Sequence, residues 1–478
     1  MIRRPGVGPA AAVAQRVRVA APVAGSTKGS IFATLAIWVL VVFMIVPEGF
    51  EYRVVSAGMP TEGSPMSRVT WLALLGFGIV VVARRWTQAK ALLRQVNPYL
   101  LCFVALAIAS VLWSIEPSVT IRRLIRLLTF VLDAMALALL PWSTTRFQSV
   151  LRPILTIMLL GSIFFALTSP ELALEHLQQA ELIGAWRGLA TQKNGLGSLA
   201  AMATLLWVHA WLSRESKLWA VLIGAGSAVL CLIMSRSSTS LMATVFACIL
   251  LLMLLRSPLA LRRYMPYLIG VFVVALLLYS LAVLNVVPGL GFVLQPITVI
   301  TGKDLTFSGR TAIWAVINEH IGYRPLLGTG YGAYWIGPVV TSPSYDMIRR
   351  LYFYPTEGHN GYLDIINDLG FVGGMVLLGF LLTYLRQGLR LFSSARAQGA
   401  LYLALLFEQL IANLSESRWF NVLTIEFVIL TMATVAMGRE LLQQHVQAGA
   451  LARALGMGRR RPGHPPQVGF RSQLRNRF

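Results

Sequence analysis

Apolar runs longer than about 17 residues recur along this chain, and they constrain its fold more than any other feature. A run of about 20 such residues crosses a bilayer with every backbone group satisfied only as a helix. The composition points the same way, with 56% hydrophobic residues, 13% charged residues and a mean hydropathy of +0.68. An ordinary soluble domain has about a quarter of its residues charged. The expected fold is therefore all-α, a polytopic membrane helix bundle of about twelve transmembrane helices with one large outer loop. The expected spans are 31–47, 70–83, 99–113, 124–140, 150–168, 195–212, 217–234, 239–255, 265–284, 369–385, 399–414 and 421–438. They divide the chain into a basic tail (1–30), spans one to nine (31–284), the loop (285–368), spans ten to twelve (369–438) and a second basic tail (439–478).

A net charge of +22 in a soluble protein suggests nucleic acid. Here the basic residues flank spans: Arg84, Arg85, Lys90 and Arg94 after the second, Arg256, Arg262 and Arg263 after the eighth, Arg386, Arg390 and Arg396 after the tenth. With the two tails they mark the cytoplasmic face by the positive-inside rule, so both termini are expected there. Membrane lipids, not nucleic acid, are the expected contacts of these residues. Cys102, Cys231 and Cys248 all lie in apolar runs, which argues against a disulfide framework or a zinc cluster.

Most acidic residues fall on the opposite face, among them Glu116, Glu357, Asp364, Asp368 and Glu416. Arg122, Arg123, Arg187, Lys193, Arg236, Arg310 and Arg324 lie there against the charge bias and require a local reason. "WRGLATQKNGLG" sets Arg187 and Lys193 where the chain enters the sixth span, beside helix-start amides that favour an anion. "MSRSSTS" sets Arg236 among hydroxyls in a short turn. Arginine suits bidentate phosphate recognition, and a snorkelling interfacial arginine is the competing reading at Arg236. In "SGRTAIWAVINEHIGYRPLLGTGYGAYW", Ser308 is placed to cap an amphipathic helix with Arg310 in its first turn and Ile313, Trp314, Ile317 and Ile321 as its apolar stripe. Gly328, Gly330 and Gly332 then form a Gly-aromatic turn with Tyr331 and Trp335, of a kind that packs against sugars or a lipid headgroup. It lacks the strand and the Lys-Ser/Thr of a nucleotide-binding loop.

"TEGHNGYLD" closes the loop just before the tenth span. His359 falls near a helix start, where the dipole lowers an imidazole pKa and favours the neutral, proton-accepting form. Asn360 is expected to orient the turn. Tyr362, Asp364 and Asp368 could touch an acceptor or serve as caps and surface groups, and assistance from Glu357 is open. Asp133 and Glu426 lie within spans and are read as structural charges.

These patches, in this order, resemble the superfamily of O-antigen ligases and O-antigen or exopolysaccharide polymerases. "SGRTAIW", "RPLLGTGYGAYW" and "GHNGYLDIINDLGFVGG" carry the resemblance, supported by "WSIEPSVTIRR", "RGLATQKNGLG", "SRSSTSLMA" and "NLSES", over roughly residues 100–420. The resemblance implies a bacterial inner-membrane glycosyltransferase whose loop is periplasmic and whose donor is a glycan on undecaprenyl diphosphate. It makes His359 the general base and Arg310, Arg236 and Arg187 ligands of the diphosphate, with Lys193 beside them. It implies an acceptor glycan, either a lipid-linked repeat unit or a lipid A core, within reach of Asn360, Tyr362, Asp364, Tyr331 and Trp335. A chain-length regulator protein is a further expected partner. No cofactor or metal is expected: the outer face has no Asp-X-Asp, so arginines take over the stabilisation of the departing diphosphate.

The leading expectation is a polymerase of repeat units, with an O-antigen ligase as the alternative. A transporter or flippase of lipid-linked sugars is the reading from another class. It calls for discontinuous helices and charges near the bilayer middle, whereas the charges here concentrate in outer loops.

Overall fold

In the computed structural model the described residues are 65–175, 183–190, 192–258 and 310–454, with a few positions between 263 and 274. Among them every regular element is helical, apart from one isolated bridge between Leu174 and Trp186. The helices are α1 (Pro65–Arg84), α2 (Trp86–Leu93), α3 (Pro98–Ala109), α4 (Pro117–Leu139), α5 (Arg146–Thr168), α6 (Lys193–Leu212), α7 (Leu218–Met234), α8 (Ser238–Arg256), α9 (Arg310–Tyr323), α10 (Gly361–Ser394), α11 (Arg396–Ala412) and α12 (Ile425–Ala454), joined by shorter turns. The expected spans at 31–47 and 265–284, the capping role of Ser308 and both tails lie largely or wholly outside the described residues. Every other expected span overlaps a described helix, with α4 and α10 beginning well before their expected starts and α10 and α12 running well past their expected ends.

By length and apolar composition four of the described helices can cross a membrane, or five if α1 and α2, bent by 96° at Arg85, count as one broken span. Large apolar side chains stay exposed along α1, α7 and α8, including Leu222, Ile233, Phe246 and Ile249. An apolar coat of this kind suits lipid. Helix α11 is the centre of the bundle, buried along its whole length from Gln398 to Ala412 and packed against α8 and α10. All three cysteines are free thiols.

Helix α10 is broken at Gly370, whose φ of 65° and ψ of −168° suit only glycine. The turn after α9 is spliced into the break. The amides of Thr329 and Gly330 donate to the carbonyls of Asn367 and Asp368 (3.1 and 2.8 Å), while the amides of Phe371 and Val372 donate to Pro325 and Leu326 (2.8 and 3.3 Å). All four backbone groups freed by the break are thus satisfied. The glycines permit the close approach: a Cβ on Gly328 would lie 2.5 Å from the Asp368 carbonyl carbon. The Gly-aromatic turn, expected to pack against sugars or a lipid headgroup, caps a helix break. Its Tyr331 is buried and donates to the Phe420 carbonyl at 2.6 Å.

The expected stripe on α9 is a small core: Ile313, Trp314, Ile317 and Ile321 pack with Tyr334, Met347 and Leu363. That core docks the loop onto the first turns of α10.

Candidate functional site

The segments expected on the outer face converge at one end of the bundle. Asn360 caps α10, its Oδ1 accepting from the amides of Tyr362 and Leu363 at 3.1 and 3.0 Å, and it is buried. The side chain is thereby committed to the cap of α10. Tyr362 is likewise committed, its hydroxyl donating to the Leu410 carbonyl at 2.9 Å. The cap forces His359, one residue earlier, into the left-handed region at φ 50°. Three further contacts fix that turn. The Gly358 amide donates to Asp364 Oδ2 at 3.0 Å, the Asn360 amide to Ser417 Oγ at 3.1 Å, and the Trp314 indole to the Gly358 carbonyl at 2.8 Å.

The imidazole lies between two carboxylates. Its Nδ1 is 3.1 Å from Glu357 Oε1 and 3.9 Å from Glu416 Oε2. Nδ1 is buried and neither approach has hydrogen-bond direction, so these are contacts of charge. Burial alone lowers a histidine pKa, but the two carboxylates outweigh it and push His359 up to about 9. This corrects the helix-dipole expectation: the field of two acids at contact exceeds that of a helix end. Burial also raises Glu357 against the pull of His359. For Glu416 burial is overcome by His359, Arg418 and Arg310, which hold it down to about 2.

Glu416 is the hub that sequence reasoning passed over. It is 3% exposed, and its Oε1 accepts from Asn194 Nδ2 at 2.8 Å and from Arg310 at 3.3 Å. Arg418 stabilises it electrostatically from behind while pairing with Glu426 at 2.7 Å. The short motif "NLSES" contains this acid, but nothing in its spacing connects it to His359 and Arg310, 57 and 106 positions away, separations bridged by the fold alone. Glu426 thus sits in an ion pair at the start of α12, whereas both oxygens of Asp133 are buried without a partner among the described residues.

The other cations divide. Lys193 lies in the field of Glu416, Arg310 and Arg236, and its Nζ donates to the Arg236 carbonyl at 3.4 Å. Arg310, Lys193 and Arg236 therefore share one neighbourhood. Arg187 turns away, its Nε donating to Leu172 O at 2.9 Å. Several arginines expected on the outer face staple loop carbonyls: Arg236 to Ile183 at 3.1 Å, Arg123 to Trp335 at 3.1 Å and Arg324 to Trp113 at 3.3 Å. Trp335 donates its indole N–H to Asp364 Oδ1 at 3.0 Å.

Donor atoms of Glu357, His359 and Glu416 all fall within 4.8 Å of one another, a spacing that could hold a cation. Two features compete with that use. Arg310 already occupies Glu416 Oε1, and an imidazole carrying a proton on Nδ1 offers no lone pair there.

The described residues, helical throughout with several membrane-length apolar helices and a histidine, acid and arginine cluster at one end, fit the class read from the sequence. Residues 223–378, which include α9 and His359, match the family described as O-antigen ligase. The chain is also 28% identical over 307 residues to the exopolysaccharide production protein ExoQ of Rhizobium meliloti (strain 1021), covering 62% of this chain and 67% of that protein. The resemblance stands on both matches, and both support a polysaccharide polymerase or ligase role.

Proposed function

We propose that this protein is an inner-membrane glycosyltransferase that joins oligosaccharide repeat units carried on undecaprenyl diphosphate, on the periplasmic face, with His359 as general base. The observation that carries the reading is the Glu416 bridge, which holds Arg310 at 3.3 Å and His359 Nδ1 at 3.9 Å around one carboxylate. A group that takes a proton and a group that stabilises a departing diphosphate are needed side by side in glycosyl transfer.

In this mechanism His359 Nε2 takes the proton from the attacking acceptor hydroxyl. The resulting imidazolium is stabilised by Glu357 and Glu416. The new glycosidic bond forms as the bond from the anomeric carbon to the diphosphate breaks, and the lipid diphosphate leaves with the electron pair. Arg310, Lys193 and Arg236 receive its charge. The step is metal-independent on this reading, and Arg187 is the weakest of the proposed ligands because its guanidinium faces Leu172.

The match to the family described as O-antigen ligase keeps a second reading, transfer of a finished glycan to a lipid A core. The broken α10 is a feature that transporters use to bind ions, but here the break is closed by protein amides and carbonyls. Purified protein given a synthetic lipid-diphosphate repeat unit separates the readings. Elongated glycan supports the polymerase, product only on addition of lipid A core supports the ligase, and no transfer to either acceptor overturns both.

A further inference from the structure

A small cavity lies directly behind the histidine turn. It is lined by Arg123, Tyr331, Asp364, Asp368, Ser417 and Trp419, among others, and encloses about 40 Å³. Two of its walls hold the backbone on either side of His359: Asp364 accepts from the Gly358 amide and Ser417 from the Asn360 amide. Asp364 and Asp368 are one turn apart on α10 and both line it.

The cavity is not fully satisfied by the protein. Asp368 Oδ2 accepts from the Gly332 amide at 2.8 Å, but its Oδ1 is buried with no partner among the described residues. The indole of Trp419, a side chain only 2% exposed, meets the Tyr362 ring edge-on at 6.0 Å and its N–H is drawn to the Tyr362 hydroxyl. An orphaned acceptor beside a small space suits a group that donates, and a hydroxyl does so. The volume holds about three waters by the usual allowance per site, or one hydroxymethyl arm, and not a whole sugar ring.

We propose that this cavity is an acceptor subsite that anchors a non-reacting hydroxyl or hydroxymethyl arm of the acceptor sugar, so that the neighbouring attacking hydroxyl meets His359. The inference rests on the glycosyl-transfer reading above. Asp368 is the positioning residue for the acceptor, and Arg123, beside it, balances the charge of the pocket.

The test is steady-state transfer by the full-length protein in lipid nanodiscs, with saturating lipid-diphosphate donor and varied acceptor glycan. Asp368→Asn keeps an acceptor for Gly332 and removes the free carboxylate oxygen. This variant is expected to raise the acceptor KM about 10-fold, as loss of one sugar hydrogen bond does, with the donor KM unchanged. An acceptor deoxygenated at the anchored position should lose the same factor with wild type and nothing further with Asp368→Asn. Unchanged acceptor KM in the variant overturns the subsite. If the variant is too unstable to assay, wild type with the panel of deoxy acceptors decides alone: no position whose removal raises KM overturns it. Wild type that transfers nothing defeats the underlying glycosyl-transfer reading instead, so the two failures are told apart.

Discussion

His359 Nδ1 stands 3.1 Å from Glu357 Oε1, in a turn that the cap of α10 holds at φ 50°. A base flanked by acids is strong but mostly protonated near neutral pH. With its pKa at about 9, the fraction in the accepting form grows as pH rises towards that value. Transfer is therefore expected to accelerate from pH 7 to 9. Glu357→Gln removes one stabiliser of the imidazolium, so the midpoint should move down towards 6.5. A pH–rate profile of both proteins checks this, and an unshifted midpoint in the variant would contradict the pairing.

Removal of the imidazole is the direct test of its role. His359→Ala is expected to reduce transfer by roughly 10²–10⁴-fold, the usual contribution of a positioned base. Membrane expression should stay near that of wild type, and apparent Tm should fall at neutral pH but approach wild type above pH 9, where the imidazolium pairs are lost in both. Near-normal chain length from a stable variant would remove His359 from the mechanism.

Arg310→Lys keeps a charge but loses the planar fork. Charge-assisted hydrogen bonds are worth about 1.5–3 kcal/mol, so kcat/KM for the donor should fall roughly 10–100-fold. Comparison with Arg187→Lys discriminates within the cluster. Arg187 faces the Leu172 carbonyl, and its variant should retain most donor affinity.

The ion pairs around His359 also act on stability, with opposite signs at the two ends of the pH scale. His359 is raised above 6.5, so its contribution is complete below that value and is lost as pH climbs through about 9. Glu416 is depressed below 4.5, so its contribution is complete above that value and is lost as pH falls through about 2. Apparent Tm is expected to decline from pH 6.5 to 9 in wild type and to decline less in His359→Ala.

Gly370→Ala tests the helix break. A Cβ there would stand 2.1 Å from the Leu326 carbonyl carbon, in a conformation that suits glycine alone. The backbone strain by itself costs about 1–3 kcal/mol. A clear loss of apparent Tm is expected, together with lost activity, because Asp368 and the Gly332 loop move with the break.

Much of the fold follows from local chemistry. Apolar runs of bilayer length become helices because the backbone has no other way to satisfy itself in lipid. The stripe on α9 and the Asn360 cap are equally local, since each depends on neighbours within about a turn. The candidacy of His359 and Arg310 came from short motifs. Their partners came from the fold. Glu416 meets Asn194 across 222 positions and Arg310 across 106, distances that no periodicity encodes. The Gly-aromatic turn illustrates the same division. Its glycines announced a close approach, but only the tertiary structure decided that the thing approached is the broken backbone of α10. The pKa of His359 divides likewise: the helix start was legible and favoured a neutral ring, while two acids delivered by packing reversed it. Charge–charge energies depend on separation and burial, and both are properties of the folded chain alone.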